Sequence, residues 1–455
     1  MSNGCHVFSF KLMLGSEVWS SAPEKKIMRQ RWHVLSNIVL ATLLASAAAQ
    51  QADAKILAQW VQLGPDGSST VRAISDDACP SVTFDGTAVA MNVRSEPTQN
   101  FGNVKPAQFS VRGCEVAVPA GAFTATLDGK PLPLPQANPR RIVMFGDTGC
   151  RLKTGDATQA CNEPNAWPFP KVAAAAAATH PDLVIHVGDY EYREDACPAG
   201  NAGCAGSPFG YGWDAWNADF FQPAAPLFAA APWIMVRGNH EDCSRAGEGW
   251  FRFLDRAPVE PACRDLTGDF VARLGDFGVV VVDSAKVRDS AGEDSEQVAV
   301  LRRQLIDVLG KIPAYAWLAT HKPVNAMLAK PGDPQVNIVS NNVLQAALGA
   351  DMPASVHMDV AGHIHFFQAV DFGGVRPPQL VVGTGGDNLE DMPKASVAGA
   401  DINGLKALNA VTYSGFAYMV WDRTGNDMWN GTLFDTDGKP LNRCRLAERA
   451  LSCGS

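Results

Sequence analysis

The stretch LVIHVGDYEY, Leu183 to Tyr192, places a buried strand directly before acidic and phenolic side chains. Its first five residues are apolar apart from His186, a pattern typical of a strand that is covered on both faces. Asp189 and Tyr192 follow where this strand ends. Ligands of layered α/β folds bind outside the carboxyl ends of the strands, so the stretch predicts an α/β fold with a binding site at this edge.

Four other short blocks share this character, and most of them also follow a buried apolar run. They are GDTG (Gly146–Gly149), GNHE (Gly238–Glu241), ATH (Ala319–His321) and GHIH (Gly362–His365). The predicted buried strands are Ile142–Phe145, Leu183–Val187, Trp233–Val236, Val279–Val282, Ala316–Ala319, Met358–Ala361 and Leu380–Val382. The five blocks are therefore expected to meet in one cleft.

The segments around these strands divide the chain into two predicted domains. Helices are predicted at Val172–Thr179, Ser295–Leu309 and Asn341–Leu348. From Ile56 to about Pro135, alternating apolar and polar residues between Gly, Pro and Asp turns predict a small β-sandwich, domain 55–135. The proline-rich stretch Pro131–Pro139 is interpreted as a linker to the second domain, 136–455.

The N-terminal leader, residues 1–54, has the layout of a signal peptide. Arg29 and Arg31 precede the apolar run Val34–Leu44 and then small residues, which puts the signal peptide at about 29–49. The run is shorter than the ~20 residues that a membrane-spanning helix needs, so no stable span is predicted. Met28 lies just before the arginines, and residues 1–27 are interpreted as an over-extended start-codon assignment.

The composition of the chain argues against a nucleic-acid-binding protein. The chain has 455 residues, is 46% hydrophobic and carries a net charge of −9. Residues 1–49 contain five cations and two anions, so the chain without them has a net charge of −12. An acidic chain without basic runs is a poor candidate for nucleic-acid binding, because that binding depends on Lys and Arg that neutralise phosphates.

Ten cysteines lie outside the leader, and an even number in an exported chain favours disulfides. Sequence does not fix their connectivity, but pairing of neighbours at short separations gives a hypothesis. The hypothetical pairs are Cys79–Cys114, Cys150–Cys161, Cys197–Cys204, Cys243–Cys263 and Cys444–Cys453. A cysteine zinc site is the alternative, but the chain contains no CxxC. Signal peptide and disulfides together predict a secreted or periplasmic protein.

The blocks supply two Asp, one Tyr, one Asn and three His as candidate ligands, enough for two metal ions. Asp189 has two carboxylate oxygens and can bridge two cations. Tyr192 is an unusual ligand, because its phenol has a pKa of about 10 and must lose its proton to bind tightly, which a trivalent ion can achieve. Asn239 offers a neutral oxygen. His363 and His365 are expected on one side of an extended segment, because the side-chain period of a strand is two.

At each position a purely structural role is an alternative to a role in metal binding. Any single block occurs by chance in many proteins, and a buried His is usually a hydrogen-bonded core residue. Four of the seven His residues beyond the leader lie inside the blocks, which favours a shared site. His186, inside its strand, is interpreted as a core residue. Contact with phosphate or ligands, and a solvated or ion-paired role, both stay open for the flanking residues Arg151, Arg237, Asp242, Arg245 and Lys322.

The five blocks resemble the calcineurin-like metallophosphoesterase superfamily and, within it, the purple acid phosphatases. Those enzymes carry GDxG, GDxxY, GNH followed by an acidic residue, VxxH and GHxH, and this chain has Leu318 in place of the Val. Most other members have a DxH first block whose His is a ligand. Gly149 occupies that place here, and Tyr192 supplies the missing donor. The resemblance implies a four-layer α/β/β/α sandwich, here preceded by the small β-sandwich.

The resemblance also implies a ligand set for two ions, Fe(III) and a divalent Fe, Zn or Mn. The implied ferric ligands are Asp147, Asp189, Tyr192 and His365. The implied ligands of the divalent ion are Asn239, His321, His363 and the shared Asp189. His240 takes the position of the family's proposed proton donor or transition-state stabiliser.

The activity expected from this resemblance is acid phosphatase-like hydrolysis of phosphate monoesters by metal-bound hydroxide, on a small phosphorylated substrate. One alternative keeps the metals but acts on phosphodiesters such as nucleotides or lipid head groups. A second alternative is a non-catalytic binding protein with a structural metal site. A third alternative is redox chemistry at the iron. The complete ligand sets of both predicted sites argue against it.

Overall fold

The structure is a computed structural model that describes residues 55–98, 105, 107–260, 262–288, 295–330, 332–349, 352–393 and 396–454. The predicted signal peptide and the rest of the leader lie outside the described residues. The described residues belong to one compact unit. Among the described helices, none has the length and apolar character that a membrane crossing requires.

Most of the described regular structure is β-strand. In chain order the strands are β1 (Ile56–Leu63), β2 (Ser69–Ser75), β3 (Ser81–Phe84), β4 (Thr87–Ala90), β5 (Asn92–Ser95), β6 (Arg112–Ala117), β7 (Ala125–Leu127), β8 (Lys130–Pro131), β9 (Arg141–Phe145), β10 (Leu183–His186), β11 (Trp233–Met235), β12 (Phe270–Leu274), β13 (Phe277–Val281), β14 (Tyr315–Ala319), β15 (Met327–Lys330), β16 (Asp333–Val339), β17 (Val356–Ala361), β18 (Phe367–Asp371), β19 (Gln379–Val382), β20 (Asp401–Ile402), β21 (Leu405–Lys406), β22 (Asn409–Tyr413), β23 (Ala417–Arg423), β24 (Met428–Asp435), β25 (Pro440–Ala447) and β26 (Ala450–Gly454).

Helices are few and mostly short. They are α1 (Phe169–Ala177), α2 (Trp213–Trp216), α3 (Gln222–Phe228), α4 (Gly247–Gly249), α5 (Ser295–Leu309) and α6 (Asn342–Leu348). Two π-helical turns, Asn217–Phe221 and Trp250–Leu254, follow α2 and α4, and two 3-10 turns lie at Pro65–Gly67 and Asn239–Glu241.

The predicted helices are present with nearly the predicted bounds. α1 begins three residues before the predicted start at Val172, with Pro170 in its first turn, where a missing N–H removes no helical hydrogen bond. α6 begins after Asn341, whose side chain accepts a hydrogen bond from the Leu344 N–H at 2.9 Å. This cap satisfies one of the free N–H groups at the helix start.

Two large sheets carry the motif strands. The first has the order β26-β25-β24-β23-β9-β10-β11-β1-β2-β6-β5, and the second has the order β12-β13-β14-β17-β19-β18-β22. β9, β10 and β11 are parallel neighbours in the first sheet. β13, β14, β17 and β19 are parallel neighbours in the second. The carboxyl ends of the motif strands therefore share one edge of each sheet.

The sheets pack face to face between two layers of helices. Ile142 and Met144 of β9 lie in the core between the sheets, together with Met358 of β17. The alternate residues Val143 and Phe145 face the other way, into a core that includes α1, α2 and α3, as the period of two requires. The second sheet packs its outer face against α5 and α6. These layers confirm the predicted α/β/β/α fold.

The N-terminal strands are divided between two sheets. β1 pairs in parallel with β11 through Gln62 and Trp233, so β1, β2, β6 and β5 extend the first large sheet. β4, β3, β7 and β8 form a separate sheet that packs on them around Val82 and Phe84. The segment 55–135 is thus sandwich-like, but one of its two sheets is continuous with the motif strands. The domain boundary near residue 135 stays a prediction.

All five hypothetical disulfides are present, and two of them lie beside motif blocks. The pairs are Cys79–Cys114, Cys150–Cys161, Cys197–Cys204, Cys243–Cys263 and Cys444–Cys453. Cys150–Cys161 closes the loop after GDTG, and Cys243–Cys263 closes the loop after GNHE. Such links restrict the unfolded chain and hold the loops near their blocks.

A buried acid on β17 gives a prediction about stability. Asp359 is 1% exposed, and no described residue donates a hydrogen bond to either carboxylate oxygen. Burial raises its pKa to about 7, although Arg376 and Arg449 oppose this shift. Because the folded state holds the proton more tightly, the contribution of Asp359 to stability is lost as the pH rises from about 4 through 7.

Replacing Asp359 by Asn removes this titration. Between pH 5 and pH 8 the free energy of unfolding of the unmodified protein should therefore fall by about 2–3 kcal/mol more than that of Asp359→Asn. Urea unfolding at both pH values measures the difference. Equal pH dependence of the two proteins would contradict the assignment.

Candidate metal centre

The five blocks meet at the carboxyl ends of the parallel strands. GDTG, GDYEY and GNHE follow β9, β10 and β11, while ATH and GHIH follow β14 and β17 in the facing sheet. Asp147, Asp189 and His363 have φ values of 57°, 60° and 69°, in the left-handed region that costs non-glycine residues energy. Three such residues at three strand ends turn their side chains toward one place.

The first group of predicted ligands contains Asp147, Tyr192 and His365. The Tyr192 hydroxyl lies 3.2 Å from Asp147 Oδ1 and 3.2 Å from His365 Nε2. His365 Nε2 is also 3.2 Å from Asp147 Oδ1. All three side chains are buried, so these donor atoms face one another away from solvent.

The second group contains Asn239, His321 and His363. His321 Nε2 lies 2.9 Å from Asn239 Oδ1, and the rings of His321 and His363 are 5.1 Å apart. One ligand atom from each of Asp189, His321 and His363 lies within 4.8 Å of the others. This spacing suits a shared metal ion.

Asp189 connects the two groups. Its Oδ2 accepts a hydrogen bond from the Tyr192 hydroxyl at 2.8 Å and lies 3.2 Å from His321 Nε2. Its Oδ1 accepts the His240 backbone N–H at 2.8 Å. A Cβ at Gly238 would collide with Asp189, and a Cβ at Gly362 would collide with Asp147, so both blocks need glycine to approach the carboxylates.

Buried carboxylates shift the pKa values of the imidazoles and the phenol in the cluster. Burial opposes a charge on His321, but the Asp189 carboxylate raises its pKa to about 9. Burial likewise opposes a charge on His365, whose pKa the hydrogen bond to Asp147 and the charge of Asp387 raise to about 10. Burial and the two carboxylates raise the pKa of Tyr192 well above its usual value. Each of these groups must lose its proton to coordinate a cation, so metal binding would release protons.

His240, the predicted proton donor, borders the cluster. Its Nε2 is 4.0 Å from Asp189 Oδ2, and its ring lies 3.7 Å from the Tyr192 ring. Burial, followed by the charges of Arg245 and Arg151, lowers the pKa of His240 well below its usual value. The charged form of this imidazole is therefore disfavoured in the protein without metals.

A family model for calcineurin-like phosphoesterases matches residues 140–366. This range holds all eight predicted site residues, including both the ligand cluster and His240. The chain belongs to the calcineurin-like phosphoesterase family. Membership implies a metal-dependent hydrolase of phosphate esters.

Solved structures share the fold of this phosphoesterase. A purple acid phosphatase, PPD1, from yellow lupin (Lupinus luteus) seeds matches with a TM-score of 0.55 and 15% identity, over 86% of this chain and 74% of its own. A structure of PhoD matches with a TM-score of 0.51 and 13% identity, over 88% of this chain and 92% of its own. At these identities the likeness concerns the fold. A comparison with the curated proteins found no significant match.

One expectation about the phosphoesterase site is wrong. His363 and His365 do not lie on an extended segment, because residues 363–366 form a bend. The Ile364 N–H donates to Gly362 O and the Phe366 N–H donates to Ile364 O, both at 2.8 Å, so two tight turns follow each other. These turns, rather than strand alternation, bring both imidazoles to the cluster.

Glu241 supports the site in a way that sequence reasoning missed. Its buried carboxylate accepts the backbone N–H groups of Gly238 at 3.1 Å, Asp189 at 3.1 Å, Tyr190 at 2.8 Å and Glu191 at 3.3 Å. Burial, together with the charge of Asp189, raises its pKa to about 8. Glu241 therefore ties the GNHE block to the GDYEY block. In the sequence, the acidic residue that follows GNH was the signal that could have identified this role.

Asp387 is a second missed residue, five positions beyond β19. Its carboxylate accepts the Arg151 Nε–H at 3.0 Å and lies 3.5 Å from His365 Nδ1. Its backbone N–H donates to Asp147 O at 2.9 Å. The polar residues after the predicted strand Leu380–Val382 were the signal that could have found it.

The remaining flanking residues have mostly structural contacts. His186 lies 3.0 Å from Thr148 Oγ1 and stacks on Tyr190, which confirms its interpretation as a core residue. Arg237 is buried and contacts Asp283, and the Lys322 ammonium donates to Val287 O at 2.6 Å. Asp242 pairs with Lys286 at 3.0 Å. Of the two remaining flanking groups, Arg151 lies over the Tyr192 ring and Arg245 contacts His240.

Proposed function

We propose that the protein is a secreted or periplasmic acid phosphatase-like enzyme that hydrolyses phosphate monoesters with Fe(III) and a divalent Fe, Zn or Mn. The proposal is carried by one observation, the gathering of the other six predicted ligands around Asp189. Membership of a phosphoesterase family and the five disulfides support the reaction class and the oxidising location.

The position of each residue in the cluster would determine its role in metal binding or proton transfer. Asp147, Tyr192 and His365 would hold the ferric ion, Asn239, His321 and His363 would hold the divalent ion, and Asp189 would bridge them. When bound, two cations supply a nucleophile and neutralise the charge on the transferring phosphoryl group. His240 borders the cluster on the side of Tyr192, and its imidazole would protonate the leaving oxygen or stabilise its charge.

The proposal is tested by metal analysis combined with a substrate panel. The purified protein should contain two metals per chain, one of them iron, and should hydrolyse p-nitrophenyl phosphate faster than bis(p-nitrophenyl) phosphate at mildly acidic pH. Two metals with turnover of the diester alone would make it a phosphodiesterase. Two metals without turnover of either ester would favour the structural-site alternative.

Tyr192→Phe tests the ferric site separately. A phenolate bound to iron(III) absorbs visible light by charge transfer, so the iron-loaded protein should be coloured and the variant should lose the band. We expect activity to fall by about 10²-fold, because the phenol also contacts both carboxylates. Tyr418→Phe is the matched control, since this buried tyrosine on β23 packs on Phe434 and is not among the predicted ligands. A colourless protein with full iron occupancy would contradict Tyr192 as a ligand.

A further inference from the structure

Arg245 stands beside the proposed proton donor. Its Nη2 lies 2.7 Å from His240 Nδ1 and 2.8 Å from His240 Nε2. Because His240 Nε2 is in turn 4.0 Å from Asp189 Oδ2, the guanidinium is no more than about 7 Å from the carboxylate that joins the two ligand groups. A positive charge therefore borders the place where a phosphoryl group would bind.

Glu194 fixes this guanidinium at one end only. Its Oε1 accepts a hydrogen bond from Arg245 Nη2, and its Oε2 accepts the Tyr211 hydroxyl at 2.8 Å. The Glu194 side chain is 5% exposed, whereas that of Arg245 is 17% exposed. The anchor is thus buried and hydrogen-bonded at both oxygens, while part of the guanidinium reaches solvent.

The Nε and Nη1 groups of Arg245 are available to donate hydrogen bonds to a ligand. Within the described residues, its Nε and Nη1 make no hydrogen bond, and neither is a buried atom without a partner. Arg151, the other arginine at the cluster, differs in this respect, since Asp387 and Asp156 engage its Nε and both terminal nitrogens. Arg245 is therefore the arginine at this site that can accept an anionic ligand without breaking existing bonds.

We propose that Arg245 contacts the phosphoryl oxygens of a bound monoester and sets a preference for monoesters over diesters. A monoester carries close to two negative charges near neutral pH, since its second pKa is about 6, and a diester carries one. The fixed guanidinium favours the ligand with the extra charge and the extra terminal oxygen. This inference rests on the proposed phosphatase function and adds the residue that selects the ester class.

The test compares both ester classes in metal-loaded variants. In Arg245→Ala, kcat/KM for p-nitrophenyl phosphate should fall by about 10- to 100-fold, and for bis(p-nitrophenyl) phosphate by about 3-fold or less. Inorganic phosphate should bind about 10-fold more weakly by calorimetry. Arg443→Ala, an exposed arginine on β25, is the control and should change none of these values.

Two further variants separate contact from folding. Arg245→Lys keeps the charge and should retain part of the preference for monoesters. Glu194→Gln keeps Arg245 but loses the charged anchor, so it should shift both measurements in the same direction as Arg245→Ala by a smaller factor. Metal content and thermal melting establish that each variant is folded.

The outcomes are distinguishable. Equal losses for both esters would overturn the inference, because Arg245 would then act only through His240 or through the fold. Unchanged phosphate binding in Arg245→Ala would also overturn it. An unmodified protein that binds two metals but hydrolyses neither ester would instead refute the proposed function.

Discussion

Asp189→Ala should abolish hydrolysis, with a loss of about 10³-fold or more in kcat, and should release metal from both sites. The expectation follows from geometry, because Asp189 Oδ2 is the atom that both ligand groups approach, Tyr192 at 2.8 Å and His321 at 3.2 Å. Without the Asp189 carboxylate, neither of the two ligand groups keeps all of its predicted metal-binding atoms. Metal content by elemental analysis and turnover of p-nitrophenyl phosphate measure the two effects.

The control for this variant is Asp214→Ala, which removes an exposed carboxylate on α2. It should keep both metals and full activity. Circular dichroism at 20 °C checks that Asp189→Ala is folded. A loss of activity supports the predicted role of Asp189 only if the variant is folded. Retention of two metals by folded Asp189→Ala would show that this carboxylate does not bridge the sites.

Glu241→Ala should destabilise the protein by about 3–5 kcal/mol and weaken metal binding at the same time. Its carboxylate accepts four backbone N–H groups from two blocks, and alanine would leave these buried donors without a partner. The loops that carry Asp189 and Asn239 would then separate. Urea unfolding gives the stability, and a metal titration gives the affinity.

Glu241→Gln is the matched variant, because it keeps one acceptor oxygen and the shape of the side chain. Oε1 accepts from Tyr190 and Glu191, and Oε2 accepts from Gly238 and Asp189, so the amide can retain one of these pairs. About half of the destabilisation is expected. Glu163→Ala, at an exposed site, should stay within about 0.5 kcal/mol of the unmodified protein. A Glu241→Ala protein as stable as this control would refute the role of Glu241.

Much of the catalytic region was predictable because its signals are local. Leu183–Val187 and Ile142–Phe145 are apolar runs followed at once by ligand-type residues, and each run corresponds to an observed strand within a residue or two. The helix Ser295–Leu309 has its predicted bounds. The disulfides joined cysteines at most 35 residues apart, so a rule of short separation found them.

Contacts between distant segments were not predictable from the same pattern. β1 pairs with β11 through Gln62 and Trp233, and nothing in the alternation of residues 56–63 identifies that partner. Glu194 reaches Arg245 and His240 across 51 and 46 positions of sequence. A carboxylate has no periodic signature, so its role depends on what the fold brings next to it.

The amino-acid sequence by itself determined which side chains are candidate ligands for cations and that most of them follow buried strands, because residue type and apolar runs can be recognised within short segments. The tertiary structure alone decided how these side chains meet. The left-handed turns at Asp147, Asp189 and His363, the carboxylate of Glu241 across two blocks and the anchored guanidinium of Arg245 all depend on packing between segments far apart in the chain. Such packing is specified by the whole core, and no single block contains it.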